Sequence, residues 1–189
     1  MRFEPPLIGL AGYARTGKDT VASILTHGHG YESRAIADAL RNILYTTDTG
    51  VRRAVDAGGW EVTKEGHQTR EKLQRLGAAM RAEFGDDYLI HHALKPYLDH
   101  EVDRMVISDV RTVREVEVIH QLGGVIVRID RPGVGPANHD ITERMLLNVD
   151  HIIVNDGLIV DLRPAVEDTL IVLSTTEAPA IEVEVTWHG

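Results

Sequence analysis

A chain of 189 residues is long enough for one domain with a sizeable core and short for two, and 43% hydrophobic with 26% charged residues is the composition of an ordinary globular protein. Lys plus Arg total 20 against 29 Asp plus Glu, a formal net charge of -9, so the electrostatic footprint of a duplex nucleic acid or anionic membrane binder is missing and any phosphate must be gripped locally. The chain has no cysteine, which excludes disulfides and thiol catalysis; its opening MRFEPPLIGLAG does not read as a secretory signal, and no apolar run approaches the ~18 residues of a membrane span, so the expectation is a cytoplasmic protein.

The first element is the apolar run Leu7 to Ala11, closed by Gly12, which reads as a buried strand feeding a turn. Val21, Ile24 and Leu25 then recur at helical spacing, predicting a helix from about Gly17 to His27. Between strand and helix lies GYARTGK, a GxxxxGK phosphate-loop signature at positions 12 to 18. With 17 Gly and four Lys in 189 residues, roughly 0.03 chance matches to that pattern are expected, and the strand-loop-helix context lowers the figure further.

The chemistry explains the residue types. Gly12 and Gly17 let the backbone wrap a phosphate, successive amides and the helix N-terminus supply donors, and Lys18 adds a mobile charge for the outer phosphates. The usual Ser or Thr after the Lys is replaced by Asp19. Its carboxylate is a hard oxygen ligand suited to magnesium, or else merely an acid that favours the helix dipole. Thr20 keeps a hydroxyl in the first turn, and Arg15 offsets the charge of Asp19.

Residues 31–37 predict a short strand, and Leu40, Ile43 and Leu44 predict a helix from Asp38 to about Tyr45. Residues 46–69 are polar and hold a Gly-Gly pair before Trp60, which predicts loop with a short helix. Leu73, Leu76, Met80 and Phe84, at spacings of three and four, predict a helix from Thr69 with one apolar face. DDYLIHHALKPYL predicts the next, with Asp86 or Asp87 as its cap. Buried strands are predicted at 104–108, 124–129 and 151–154, with a helix ending at Gly123 between the first two and a last core helix over about 160–173. RPGVGPANHD, with two Pro and two Gly in ten residues, must be a loop. The tail IEVEVTW alternates and reads as an edge strand or an interface segment, which would make a homodimer.

Strands separated by helices predict an α/β fold with a mostly parallel sheet covered on both faces. In such sheets ligands lie beyond the carboxyl ends of the strands. Gly12, Asp109 and Arg131 each follow a predicted strand and would gather on one rim.

GYARTGKDTVASIL, RAIADALRNILY, GGWEVTKEG, REKLQRLGAAMRAEFG, VISDVRTVREVEVI and DHIIVNDG, in this order and spacing, resemble the bacteriophage deoxynucleoside monophosphate kinases. These are P-loop proteins similar to nucleoside monophosphate kinases, and phosphomevalonate kinase shares the GKD variant. The resemblance implies a P-loop NTPase fold with a core over about 7–30 and 104–174, an acceptor-binding helical region over about 38–100, a lid over about 131–142 and a tail at 175–189. It implies ATP and Mg2+, small-molecule nucleotides as the partners, and phosphoryl transfer to a deoxynucleoside monophosphate.

Carried over by residue, the resemblance implies that Gly12, Ala14, Arg15, Thr16, Gly17, Lys18, Asp19 and Thr20 hold the triphosphate, with Asp19 and Asp109 at the metal. Taken alone, Asp109 reads equally well as a helix cap. Arg111 resembles a phosphate-gripping Arg, with Arg114 as its solvated neighbour, and Arg131 rather than Arg128 resembles the lid Arg that reaches the transferring group. Arg70 and Arg81 resemble acceptor-phosphate residues, though Arg on an amphipathic helix is commonly just solvated. Trp60 and Tyr88 are base-stacking candidates, though a lone aromatic is more often core; His139 and Glu143 follow the loop as lid-hinge candidates but read more readily as surface caps, and Asn155 sits where related folds place the adenine-side loop. The ten His lack ligand spacing and read as surface or packing residues. The rival expectations are a kinase for phosphomevalonate or dephospho-coenzyme A, and a nucleotide-binding regulatory module.

Overall fold

Four apolar runs and one short polar strand pair into one parallel sheet in the computed structural model, which describes residues 4–135, 148–157 and 159–175. They are β1 (Leu7–Ala11), β2 (Glu32–Arg34), β3 (Met105–Ile107), β4 (Val125–Asp130) and β5 (His151–Val154), in the order β2-β3-β1-β4-β5. All four pairings are parallel, with Gly9 opposite Ile107 and Ile126, and Asp130 opposite Val154. The expected α/β architecture with a parallel sheet is therefore the one observed.

Chain packing divides the molecule into two compact units, Met1–Arg34 with Pro96–Gly189, and Ala35–Lys95. The sheet belongs to the first. On one of its faces lie α1 (Lys18–His29) and α7 (Ile159–Thr175). Ile8 and Leu10 of β1, Val127 and Ile129 of β4 and Ile153 of β5 meet Val21, Leu25, Leu162, Val166 and Leu170 there. Each such side chain removed from water contributes about 1.5–3 kcal/mol before chain entropy is charged against it. The opposite face is covered by α6 (Val113–Gln121). Close approach requires Gly9, because a Cβ there would sit 2.6 Å from Ile126 Cδ1 and 2.8 Å from Ile119 Cδ1. Helix ends follow local chemistry. Gly30 (φ 72) terminates α1 with its N–H on the Leu25 carbonyl, and a Thr112–Glu115 capping box starts α6.

The second unit holds α2 (Asp38–Thr47), α3 (Thr49–Glu65), α4 (His67–Phe84) and most of α5 (Tyr88–Leu98). Helices α2, α3 and α4 pack on one another, and Gly77 lets α4 approach Leu40, whose Cδ1 would lie 3.1 Å from an added Cβ. Two expectations change here. Residues 49–65, expected to be mainly loop, are helical because Asp48 caps them, accepting from Gly50 N and Val51 N at 3.0 Å each. The Gly-Gly pair breaks the helix only at Gly59 (φ 75, ψ 172). Phe84, expected on the apolar face of α4, is 57% exposed and stacks on Tyr88 with ring centroids 4.8 Å apart. The tail IEVEVTW, and His139 and Glu143 of the expected lid, lie outside the described residues.

Candidate active site

Because β3, β1, β4 and β5 are neighbours and parallel, the residues that follow them emerge on one rim. Gly12 follows β1 directly, Asp109 lies two residues beyond β3, and Arg131 and Asn155 come straight after β4 and β5. Main-chain bonds tie these exits together: Val110 N donates to Leu10 O at 3.1 Å, and Asn155 N to Asp130 O at 2.7 Å.

The loop at the end of β1 has the backbone its glycines were expected to permit. Gly12 (φ 140), Arg15 (φ 68) and Gly17 (φ 108) all take positive φ. A Cβ on Gly12 would lie 2.5 Å from the Ile129 carbonyl oxygen, and one on Gly17 2.7 Å from Asn155 Nδ2, so neither position admits a side chain. Thr16 is fully buried, and its hydroxyl donates to Tyr13 O at 2.9 Å, so its side chain is used up inside the loop. Ala14, Arg15 and Asp19 are exposed, and Thr20 is half-buried in the first turn of α1.

Lys18 Nζ donates to Gly12 O and to Tyr13 O, both at 2.7 Å. The ammonium is thereby folded over the loop. No side chain caps the N-terminus of α1, and its first helical bond is Val21 N to Gly17 O at 3.0 Å. Loop amides, helix N-terminus and ammonium form a cradle whose size is set by two missing side chains, which is what a phosphate chain requires.

Beyond β3, Asp109 is half-buried and Arg111 presents an exposed side chain. The Arg111 backbone is fixed by Glu115, whose Oε2 accepts from Arg111 N at 2.7 Å and Thr112 N at 3.0 Å. Glu115 is only 3% exposed. Its T-x-x-E spacing with Thr112 is a legible capping signal that sequence reasoning passed over. Arg114 faces away into an exposed pair with Glu117 at 3.1 Å.

At the end of β4, Arg128 is half-buried and held by Asp130 in a two-pronged pair, Nε to Oδ1 at 2.9 Å and one terminal nitrogen to Oδ2 at 3.0 Å. Arg131 is exposed. Tyr13, Arg128, Asp130, Arg131 and Val134 line a cavity of about 300 Å³, so both arginines border the phosphate loop.

Residues 60–166 match the family model of deoxynucleotide monophosphate kinases, which is more than half of the chain. The chain belongs to that family. The matched segment begins at Trp60 and excludes residues 12–18, so family membership and loop geometry are separate lines of support for one conclusion: the protein is a phosphotransferase acting with small-molecule nucleotides. A protein of Acanthamoeba polyphaga mimivirus carrying the same family name is 28% identical over 179 residues, covering 81% of this chain and 90% of that one. It comes from a virus of an amoeba, so it does not bear on the phage part of the resemblance.

Solved structures with similar chain paths include dephospho-CoA kinase from Campylobacter jejuni, 14% identical with a TM-score of 0.48 over 89% of this chain and 97% of that one. Shikimate kinase from Aquifex aeolicus is 16% identical with a TM-score of 0.46, covering 89% of this chain and 95% of that one. Nothing about the acceptor follows from either.

In the helical unit, Arg70 is exposed and Arg81 half-buried, both on α4, while Trp60 is half-buried just after the break in α3. Among the described residues no group of three or more His, Asp or Glu is arranged to hold a metal, and His29 instead sits between Glu4 and Glu167 at 3.2 and 3.1 Å. No helix among them is long and apolar enough to cross a membrane.

Proposed function

We propose that this kinase transfers the terminal phosphoryl group of ATP to a deoxynucleoside 5'-monophosphate. An acceptor phosphate oxygen bonds to the γ-phosphorus, the bond from that phosphorus to the β,γ-bridging oxygen breaks, and the products are ADP and the deoxynucleoside diphosphate. The observation that carries the reading is the Lys18 ammonium seated 2.7 Å from two carbonyls of a loop whose glycines leave no room for side chains.

In this reading the amides of Gly12 to Thr20 hold the triphosphate, and Lys18 moves from its carbonyls onto the outer phosphates as charge develops there. Magnesium, when bound, neutralises charge on the phosphates and takes only one or two carboxylates besides phosphate oxygens and water. Asp19, exposed in the first turn of α1, and Asp109, beyond β3, have the hard oxygen such a site needs. Arg111 takes the acceptor phosphate with its planar fork, and its exposed side chain on a backbone anchored by Glu115 supports that role. Arg131, bordering the cavity beside Tyr13, neutralises the group in transit. Arg70 and Arg81 are assigned to the acceptor phosphate as well. No general base is needed, because the acceptor phosphate is already anionic. Nucleotide substrates of this kind imply work in the cytoplasm, that of the host if the chain is viral.

A coupled ADP-release assay across the deoxynucleoside monophosphates, their ribose counterparts, phosphomevalonate and dephospho-coenzyme A tests the acceptor. Deoxynucleotide-dependent ADP formation is expected. Turnover with only a non-nucleotide acceptor overturns the assignment, and ATP consumption indifferent to every acceptor points to a regulatory module.

A further inference from the structure

Asn155 stands where an adenine-side contact was expected, yet it is only 5% exposed. Its Nδ2 donates to the carbonyl oxygen of Thr16 at 2.7 Å, across 139 positions of sequence. Its own main-chain N–H is pinned to Asp130 O at 2.7 Å. The same Nδ2 lies 2.7 Å from where a Cβ on Gly17 would be. Asn155 thus reaches from the exit of β5 to the phosphate loop and packs against its last glycine.

A trans peptide holds its C=O and N–H in opposite directions. The carbonyl of Thr16 and the N–H of Gly17 belong to one such plane. Drawing that carbonyl inward therefore turns the Gly17 N–H outward, to the side where an anion would lie. Gly17 also makes reorientation of that peptide cheap, since without a Cβ it crosses backbone regions that other residues avoid. Its φ of 108 lies in one of them. The Thr16 hydroxyl, bound to Tyr13 O at 2.9 Å, holds the residue's side chain but leaves the 16–17 peptide to Asn155.

We propose that Asn155 is a positioning residue which fixes the Thr16–Gly17 peptide so that the Gly17 N–H faces phosphate, acting on the polyphosphate through the loop and making no contact with the base. The proposal rests on the phosphate-binding reading of the loop and adds to it the device that holds its shape. It predicts that the base is irrelevant to the effect of losing Asn155.

The test compares ATP with inorganic tripolyphosphate, which has no base. Wild type, Asn155→Ala, Asn155→Ser and Asn155→Asp are titrated with each by calorimetry well below their melting temperatures. In parallel, the Gly17 amide resonance is followed by 15N NMR. Both ligands are expected to weaken by the same factor in the Ala and Asp variants, roughly tenfold for one lost buried hydrogen bond. Ser, with a shorter donor, recovers part of the loss, and the Gly17 resonance responds to tripolyphosphate in wild type but less in Asn155→Ala.

Weakening of ATP alone would show that Asn155 touches the base and overturn the proposal. So would a lowered melting temperature with unchanged tripolyphosphate affinity, which is what a packing role alone produces. If Asn155→Ala fails to fold, the Ser and Asp variants carry the same comparison. Wild type binding neither ligand would sink the phosphate-loop reading itself, a result distinct from either failure of the Asn155 proposal.

Discussion

The phosphate loop and the arginines of α4 are both assigned to phosphate, but they are built in opposite ways. In the loop, Gly12, Thr16 and Gly17 are wedged against Ile129, Tyr13 and Asn155, and even the mobile Lys18 has two carbonyl partners. On α4, Arg70 is an exposed side chain on a regular helix. A site made of backbone needs particular residues at particular places, so it marks the sequence. Long side chains reaching from a helix need only a helix, and leave a mark indistinguishable from a solvated face.

The sharpest break of that contrast is Lys18→Ala. It should cost a factor of about 10²–10³ or more in kcat, the scale of losing one preorganised charge partner of the transferring group. The fold should survive, since the bonds of Nζ to Gly12 O and Tyr13 O run to carbonyls of the loop itself and not to the sheet or its helices. Coupled turnover and a melting curve check both halves, and near-normal turnover would refute the loop's assignment.

Next in size is Gly12→Ala. Its φ of 140 and the Ile129 carbonyl 2.5 Å from the new Cβ leave no relaxed solution, so about 1–3 kcal/mol of stability is lost, together with tripolyphosphate binding. Gly59→Ala in the helical unit is the control. It also has positive φ but nothing within 4 Å, so it should cost less by urea denaturation.

Arg111→Ala should raise the acceptor KM by roughly 10- to 100-fold, as loss of a charge-assisted, two-pronged grip would, with the KM for ATP little changed. Arg111→Lys should recover only part of it. Arg70→Ala and Arg81→Ala should each raise the acceptor KM by less, roughly tenfold at most; an unchanged KM would return that arginine to the solvated face.

The smallest effect is a pH dependence. Lys72, first, and then the amide of Val51 hold the Asp48 carboxyl below its usual range. A lowered folded pKa means that the group's stabilisation is present above about pH 4, the ordinary carboxylate value. It is lost as pH falls through the lowered value. Asp48→Asn should flatten that part of the acid limb in melting experiments while leaving the loop's phosphate affinity unchanged.

Much of the fold was legible because its signals are local. β1, α1, α6 and β4 carry apolar runs or helical periodicities where they were expected, and Gly12 directly after β1 and Gly123 just beyond α6 mark two of their ends. Helix α3 was not legible, because a Gly-Gly pair reads as a loop while only Gly59 leaves the helical conformation. Phe84 fits the apolar spacing of α4 and still faces outward, because spacing fixes a face and not what that face meets.

By itself the sequence determined the cradle: two glycines where no Cβ is tolerated, a lysine directly after them, and the strand and helix that hold them. These are local requirements of backbone shape and charge. Tertiary structure alone decided that β3 lies between β1 and β2, so that Asp109 emerges beside the loop. It also turned Thr16 and Asn155 inward onto the loop. Those outcomes depend on contacts between segments up to 139 positions apart, and such contacts leave no periodicity in the chain.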